Sequence, residues 1–209
     1  DRLLALAGAA GRPPGAPAAV AQAHRGIALQ GLGRADEALA AYDAALAHDP
    51  AHHDALNNSG TLLGAQGRHE EALARYEAGL ARHPDSPELL NNRGVSLAAL
   101  GREAEAIASY RRATTTPRSS PDVQKNLASL LAKSGRHEEA LAAYDRALAL
   151  KPGFVDALNN RGVTLSALRR FDDALASFDR ALAADPEGVN AHWNRSLALL
   201  RLGRFAEGW

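Results

Sequence analysis

The sequence predicts an all-α array of antiparallel helix pairs, each pair stacked on the next. Three observations carry this: matched residues recur every 34 positions, each period holds two stretches of helical apolar spacing, and proline and glycine separate them at constant offsets. Pro50, Pro84, Pro152 and Pro186 share one grid, with Pro117 one residue short of the missing member. Gly33, Gly67, Gly101, Gly135 and Gly203 follow the same period, and Arg169 fills the place left between them. Ala38, Ala72, Ala106, Ala140 and Ala174 form a third series, and Tyr42, Tyr76, Tyr110, Tyr144 and Phe178 a fourth. Independent series with one period set the register.

Taken in order, residues 1–18 stand outside the grid. Leu3, Leu4 and Leu6 suggest a short helix, and Gly11 to Pro17 a loop, together a decayed repeat or cap. Five full units follow at 19–52, 53–86, 87–120, 121–154 and 155–188, with an incomplete sixth over 189–209. Helices are expected near 21–32, 35–48, 54–66, 69–82, 88–100, 103–114, 122–134, 137–150, 156–168, 171–184 and 190–202. In the second unit, Gly67 suits the left-handed residue that closes a first helix. Glu70 and Glu71 open the second helix at its positive end, and Ala72, Leu73, Tyr76 and Leu80 form its apolar stripe. Pro84 ends it, because proline cannot continue the backbone ladder. Ser86-Pro87-Glu88 and Ser120-Pro121-Asp122 each combine a cap, a first-turn proline and an acid. Thr114-Thr115-Thr116-Pro117 should shorten the third unit's second helix, since β-branched residues before proline disfavour the helical state.

The pattern of small residue, large apolar residue, glycine turn, Ala, aromatic, Ala, Pro resembles the tetratricopeptide repeat (TPR) family. In the fifth unit these are Gly162, Leu165, Arg169 (in place of Gly), Ala174, Phe178, Ala181 and Pro186. The family's tryptophan near the start of the first helix is replaced by Leu56, Leu90 and Leu158. The resemblance implies a right-handed α-solenoid whose first helices line a concave groove that binds a protein or peptide. Gly60, Gly94, Ala128 and Gly162 are expected to face Ala72, Ala106, Ala140 and Ala174, letting helix axes approach closely.

Within that implied groove, the sixth slot of each unit reads His24, Asn58, Asn92, Asn126, Asn160 and Asn194. Primary amides pair with peptide backbone irrespective of its sequence, and this ladder is similar to that of O-linked N-acetylglucosamine transferase repeats. The alternative is that the amides satisfy neighbouring helices. Asp54, Glu88, Asp122 and Asp156 fill the second slot, where they either select basic or hydroxyl-rich ligands or stabilise helix starts. They oppose a carboxylate clamp, which needs Lys there. Lys125 and Lys133 could hold one acidic side chain, or stay solvated. Arg25, Arg93, Arg161 and Arg195 occupy a slot the family gives to Leu, with stems able to pack and heads to reach an acid.

Composition narrows the function classes. Lys and Arg number 24 against 24 Asp and Glu, so nothing draws the chain to nucleic acid or anionic membrane. Cysteine is absent, which excludes disulfides and thiolate metal sites, and no apolar run approaches the roughly 20 residues of a membrane helix. His48, Asp49, His52, His53 and Asp54 match no metal-ligand spacing, and Gly31-Leu32-Gly33 is no nucleotide loop. The expectation is a cytoplasmic, non-catalytic binding module without metal or cofactor. With no Met and Asp at position 1, the natural start is expected upstream. The ending Leu-Gly-Arg-Phe-Ala-Glu-Gly-Trp resembles repeats that lead into glycosyltransferase-type domains, making a recruiting arm of a larger enzyme the first alternative. End-to-end self-association through an uncapped solenoid face is the second.

Overall fold

The computed structural model describes residues 16–116, 119–204 and 206. The helix expected at Leu3 to Leu6, Pro117 of the proline series, and Phe205 with Glu207 to Trp209 lie outside them. Among the described residues there are eleven helices and no strand. They are α1 Ala16–Gly31, α2 Ala35–His48, α3 His53–Ala65, α4 His69–Leu80, α5 Pro87–Ala99, α6 Glu103–Thr114, α7 Pro121–Lys133, α8 His137–Leu150, α9 Val155–Ala167, α10 Phe171–Ala184 and α11 Val189–Arg201. The chain divides into two compact units, one running to Arg102 and one beginning at Glu103. The division therefore falls between the two helices of the third repeat.

Within each unit the helices follow one rule. Each packs on the next, and first helices also touch first helices: α1–α3–α5 in the first unit, α7–α9–α11 in the second. The turn inside each repeat explains the glycine series. Arg34 N–H donates to Leu29 O at 2.9 Å around Gly33, whose φ of 73° only glycine adopts without strain. Arg34 is also the residue that opens α2, and its guanidinium holds Glu37 three positions on at 2.6 Å. Arg68–Glu71, Arg136–Glu139 and Arg170–Asp173 repeat this pairing. The arginine hydrogen bond keeps the Glu37, Glu71 and Glu139 carboxyls below the usual carboxylate range.

The structure departs from the sequence expectation in two places. Helix α1 starts at Ala16, inside the expected loop, because Pro17 falls in the first turn where its missing N–H costs nothing. The small first-helix residues face the aromatic series rather than the alanine series. A Cβ at Gly26 would lie 2.5 Å from Tyr42 Cε1, at Gly60 2.5 Å from Tyr76 Cε1, and at Gly162 2.4 Å from Phe178 Cε1. The ring lies directly on the bare backbone, and this sets the close approach within a pair. Ala128 takes that slot against Tyr144, whose hydroxyl lies 3.1 Å from Ser129 Oγ. The threonine run behaves as expected. Helix α6 stops at Thr114 after 12 residues against 14 in α2, α8 and α10, although α4 is equally short. Thr114, Thr115 and Thr116 hydroxyls turn back to the carbonyls of Arg111, Arg112 and Ala113 at 2.7–2.9 Å.

Candidate peptide-binding face

The first helices carry the candidate residues at helical offsets that share one face. Asn58, Asn92, Asn126, Asn160 and Asn194 are all half-buried, on α3, α5, α7, α9 and α11. Asn92 Nδ2 donates to Asn57 Oδ1 at 3.0 Å and Thr61 Oγ1 at 3.3 Å, so both its amide protons are used within the first unit. Asn194 Nδ2 likewise donates to Asn159 Oδ1 at 3.0 Å in the second. Asn57, Asn91 and Asn159 in turn donate to the side-chain oxygens of Asn58, Asn92 and Asn160 at 3.2, 3.1 and 3.4 Å. The ladder thus runs through the fifth slot as well as the sixth and ties adjacent first helices together. Asn58 and Asn160 also reach the hydroxyls of Tyr42 and Tyr144.

Three residues beyond His24 and each asparagine lies a series that sequence reasoning passed over: Ile27, Thr61, Val95, Ser129, Val163 and Leu197. Its apolar members are solvated, with Ile27, Val95 and Val163 each 45% exposed and Leu197 44%. The signal was present in the 34-residue grid but lacked a constant residue type. The hollow beside the first helices also takes in Arg169, Phe171 and Arg201 in the second unit.

The other candidates are less concentrated. Asp54, Glu88, Asp122 and Asp156 are exposed in the first turns of α3, α5, α7 and α9. Asp54 accepts from His53 Nδ1 at 3.2 Å, and Glu88 from Ser86 Oγ at 3.0 Å. Lys125 and Lys133 are eight residues apart on α7, a rise of about 12 Å. Lys125 turns to the ring of Phe154, 5.8 Å from its centroid, where Lys151 approaches to 4.6 Å. The histidine cluster is spent locally. His52 Nδ1 accepts from Ala55 N–H at the start of α3, and His53 meets Ser86 Oγ at 3.0 Å with its ring edge-on to His83.

The arginine slot receives a clear structural role. Arg93 reaches Glu77 at 3.3 Å, Arg161 reaches Asp145 at 2.7 Å and Arg195 reaches Asp179 at 2.6 Å, each joining a first helix to the second helix before it. In the fourth repeat the slot holds Leu127, and the residue 16 positions earlier is Arg111 rather than an acid. Arg111 pairs instead with Glu139 at 2.9 Å. In the second repeat the slot holds Ser59, and Asp43, 16 positions earlier, pairs with Arg75 at 2.7 Å.

The family model described as tetratricopeptide repeat matches residues 24–74, 58–123 and 160–208, and one described as TPR repeat matches 128–168. The chain belongs to the tetratricopeptide repeat family. Among solved structures, this TPR protein is similar to PilW, a type IV pilus biogenesis factor, at 22% identity and TM-score 0.82, over 91% of this chain and 88% of that one. PilF of Pseudomonas aeruginosa aligns at 18% identity and TM-score 0.80, over 92% and 87%. YrrB, titled a TPR protein with an unusual peptide-binding site, aligns at 25% identity and TM-score 0.66, over 83% and 89%. These likenesses establish the all-helical TPR fold. No curated protein sequence matches this TPR protein. No helix among the described residues is long and apolar enough to cross a membrane.

Proposed function

We propose that this TPR protein binds an extended peptide segment of a partner protein on its first-helix face and does no chemistry itself. One observation carries the reading. Solvated Val95, Val163 and Leu197 lie one helical turn from half-buried Asn92, Asn160 and Asn194, so apolar contact and amide hydrogen bonding meet on one surface. Asn58 and Asn160, whose carbonyls are taken by Asn57 and Asn159 and one N–H of each by the hydroxyls of Tyr42 and Tyr144, would contact the peptide backbone through the remaining N–H. Asn92 and Asn194 would hold the helices that present them. The acids of the second slot serve helix starts in this reading, and Lys125 serves Phe154.

The test uses a peptide selected on the full chain from a displayed library of random sequences. Asn58→Ala and Asn160→Ala should each weaken its binding several-fold, because a lost hydrogen bond costs about 0.5–1.5 kcal/mol, and should lower the melting temperature less than loss of an amide that bridges two helices. Asn92→Ala should lower the melting temperature more. Lost stability with unchanged affinity at Asn58 and Asn160 would make the ladder scaffolding and place the ligand elsewhere. A second reading, self-association through α11, is favoured by Val189 and Trp193, 78% and 66% exposed. Trp193 occupies the slot through which Asn57 and Asn159 meet the following first helix. Light scattering should then find oligomers that Trp193→Ser dissolves, and a monomer at all concentrations would end this reading.

A further inference from the structure

The hollows beside the first helices are not equivalent. The one at Thr61, His69 and Ser96 in the first unit has a volume of about 220 Å³. Its counterpart three periods further on measures about 630 Å³, with Val163, Phe171 and Ala198 in those places. Three polar or hydroxyl positions have become apolar, and two arginines, Arg169 and Arg201, have joined the lining. Both arginines are exposed.

Neither guanidinium has a partner among the described residues. Around them, Arg161, Arg170 and Arg195 are engaged with Asp145, Asp173 and Asp179. Arg169 is further marked by its backbone. Its φ of 60° makes it the one non-glycine with positive φ among the described residues, in a turn where Gly33, Gly67, Gly101, Gly135 and Gly203 serve the other repeats. Left-handed backbone is unfavourable for arginine and free for glycine, so the side chain is retained there against the local preference. An apolar hollow edged by two uncommitted cations on its turn side is complementary to an apolar group with a carboxylate beside it.

We propose that this pocket holds an apolar side chain of a bound peptide, with Arg169 and Arg201 gripping the side-chain carboxylate of an adjacent Asp or Glu. The proposal rests on the peptide-binding reading above and specifies the ligand of its C-terminal portion. Phe171, Val163 and Leu197 contact the apolar side chain, and Asn194 borders the hollow at its other end.

The experiment begins with selection on the full chain from a random 12-residue library displayed without a free C-terminus, alongside a second library that ends in one. The best peptide of the first is synthesised with its acid and with the matching amide. Both are titrated by fluorescence polarisation against the parent protein, Arg169→Gly, Arg201→Gln and Asn160→Ala. An apolar–acidic pair should recur among the selected sequences. Arg169→Gly and Arg201→Gln should each weaken the acidic peptide about tenfold, as expected for a charged hydrogen-bond partner, and the amide peptide less than about twofold. Arg169→Gly should melt no lower than the parent, since glycine is at ease at that φ.

Equal losses for acid and amide would overturn the carboxylate role, as would no loss at all, leaving the arginines to serve the helix ends. Binders from the free-terminus library alone would overturn the side-chain acid in favour of a terminal carboxylate. Apolar–acidic binders weakened by Asn160→Ala but indifferent to both arginine changes would leave peptide binding standing and end this inference alone. Binders indifferent to every variant, or none from either library, would end both.

Discussion

Removing the ring of Tyr144 should destabilise the second unit by about 3–5 kcal/mol, the range for truncating a buried aromatic side chain to alanine. Tyr144 is 1% exposed, inside the stack of α7, α8 and α9, so its loss opens a cavity that stacked helices cannot close without sliding. The hydroxyl is a separable part of that figure. Its 3.1 Å contact with Ser129 Oγ is worth about 0.5–1.5 kcal/mol, and Phe178 fills the equivalent position one repeat later without one. Tyr144→Phe should therefore cost about 1 kcal/mol and Tyr144→Ala several times that. The assay is a urea titration of the full chain followed by circular dichroism. With a slope of about 2–3 kcal/mol per molar, the alanine midpoint should fall by about 1–2 M. Because such arrays lose cooperativity when one unit is weakened, the alanine transition should also broaden. A midpoint unchanged within error, or equal losses for phenylalanine and alanine, would refute the claim that the ring fills the seam between repeats.

Two further outcomes are expected. Burial raises the hydroxyl pKa of Tyr42, Tyr76, Tyr110 and Tyr144 above the ordinary value of about 10. The folded protein thus holds tyrosine protons that the unfolded chain releases. Stability should be flat below about pH 9 and fall steadily above about pH 10, less steeply in Tyr144→Phe; a midpoint level to pH 11 would count against tyrosine burial. Gly162→Ala should destabilise, since its Cβ would lie 2.4 Å from the buried Phe178 ring. Overpacking costs about 1–3 kcal/mol against a helix-propensity gain of about 1 kcal/mol, so a rise in the urea midpoint would show that the ring yields freely.

Much of this architecture was legible in residue spacing alone. The 34-residue recurrence of Pro, Gly, Ala and aromatic residues determined the helix pairs, and observed helix bounds after α1 fall within two residues of those expected. Each signal is local: a glycine that takes positive φ, a proline without an N–H, an apolar face repeating at helical spacing. Local signals act through neighbours in the chain and survive without knowledge of the fold. The coarse function followed, because helix pairs that cannot bury their faces alone must stack and present one face repeatedly.

Tertiary structure decided what lies between helices. Asn92 sits on the expected face, yet only the packing of α5 on α3 shows its amide protons committed to Asn57 and Thr61. Gly60 was legible as a small residue, but its partner proved to be Tyr76, which the relative rotation of the two helices selects. Arg93, Arg161 and Arg195 had no reading until Glu77, Asp145 and Asp179 were found opposite them. The apolar hollow at Phe171 gathers residues from three helices and a turn that no spacing rule links. In each case the deciding quantity is a distance across an interface, set by the sum of all side chains packed there. The sequence by itself determined where the helices begin and end and which residues share a face; the packing determined which of those residues remain open to a ligand.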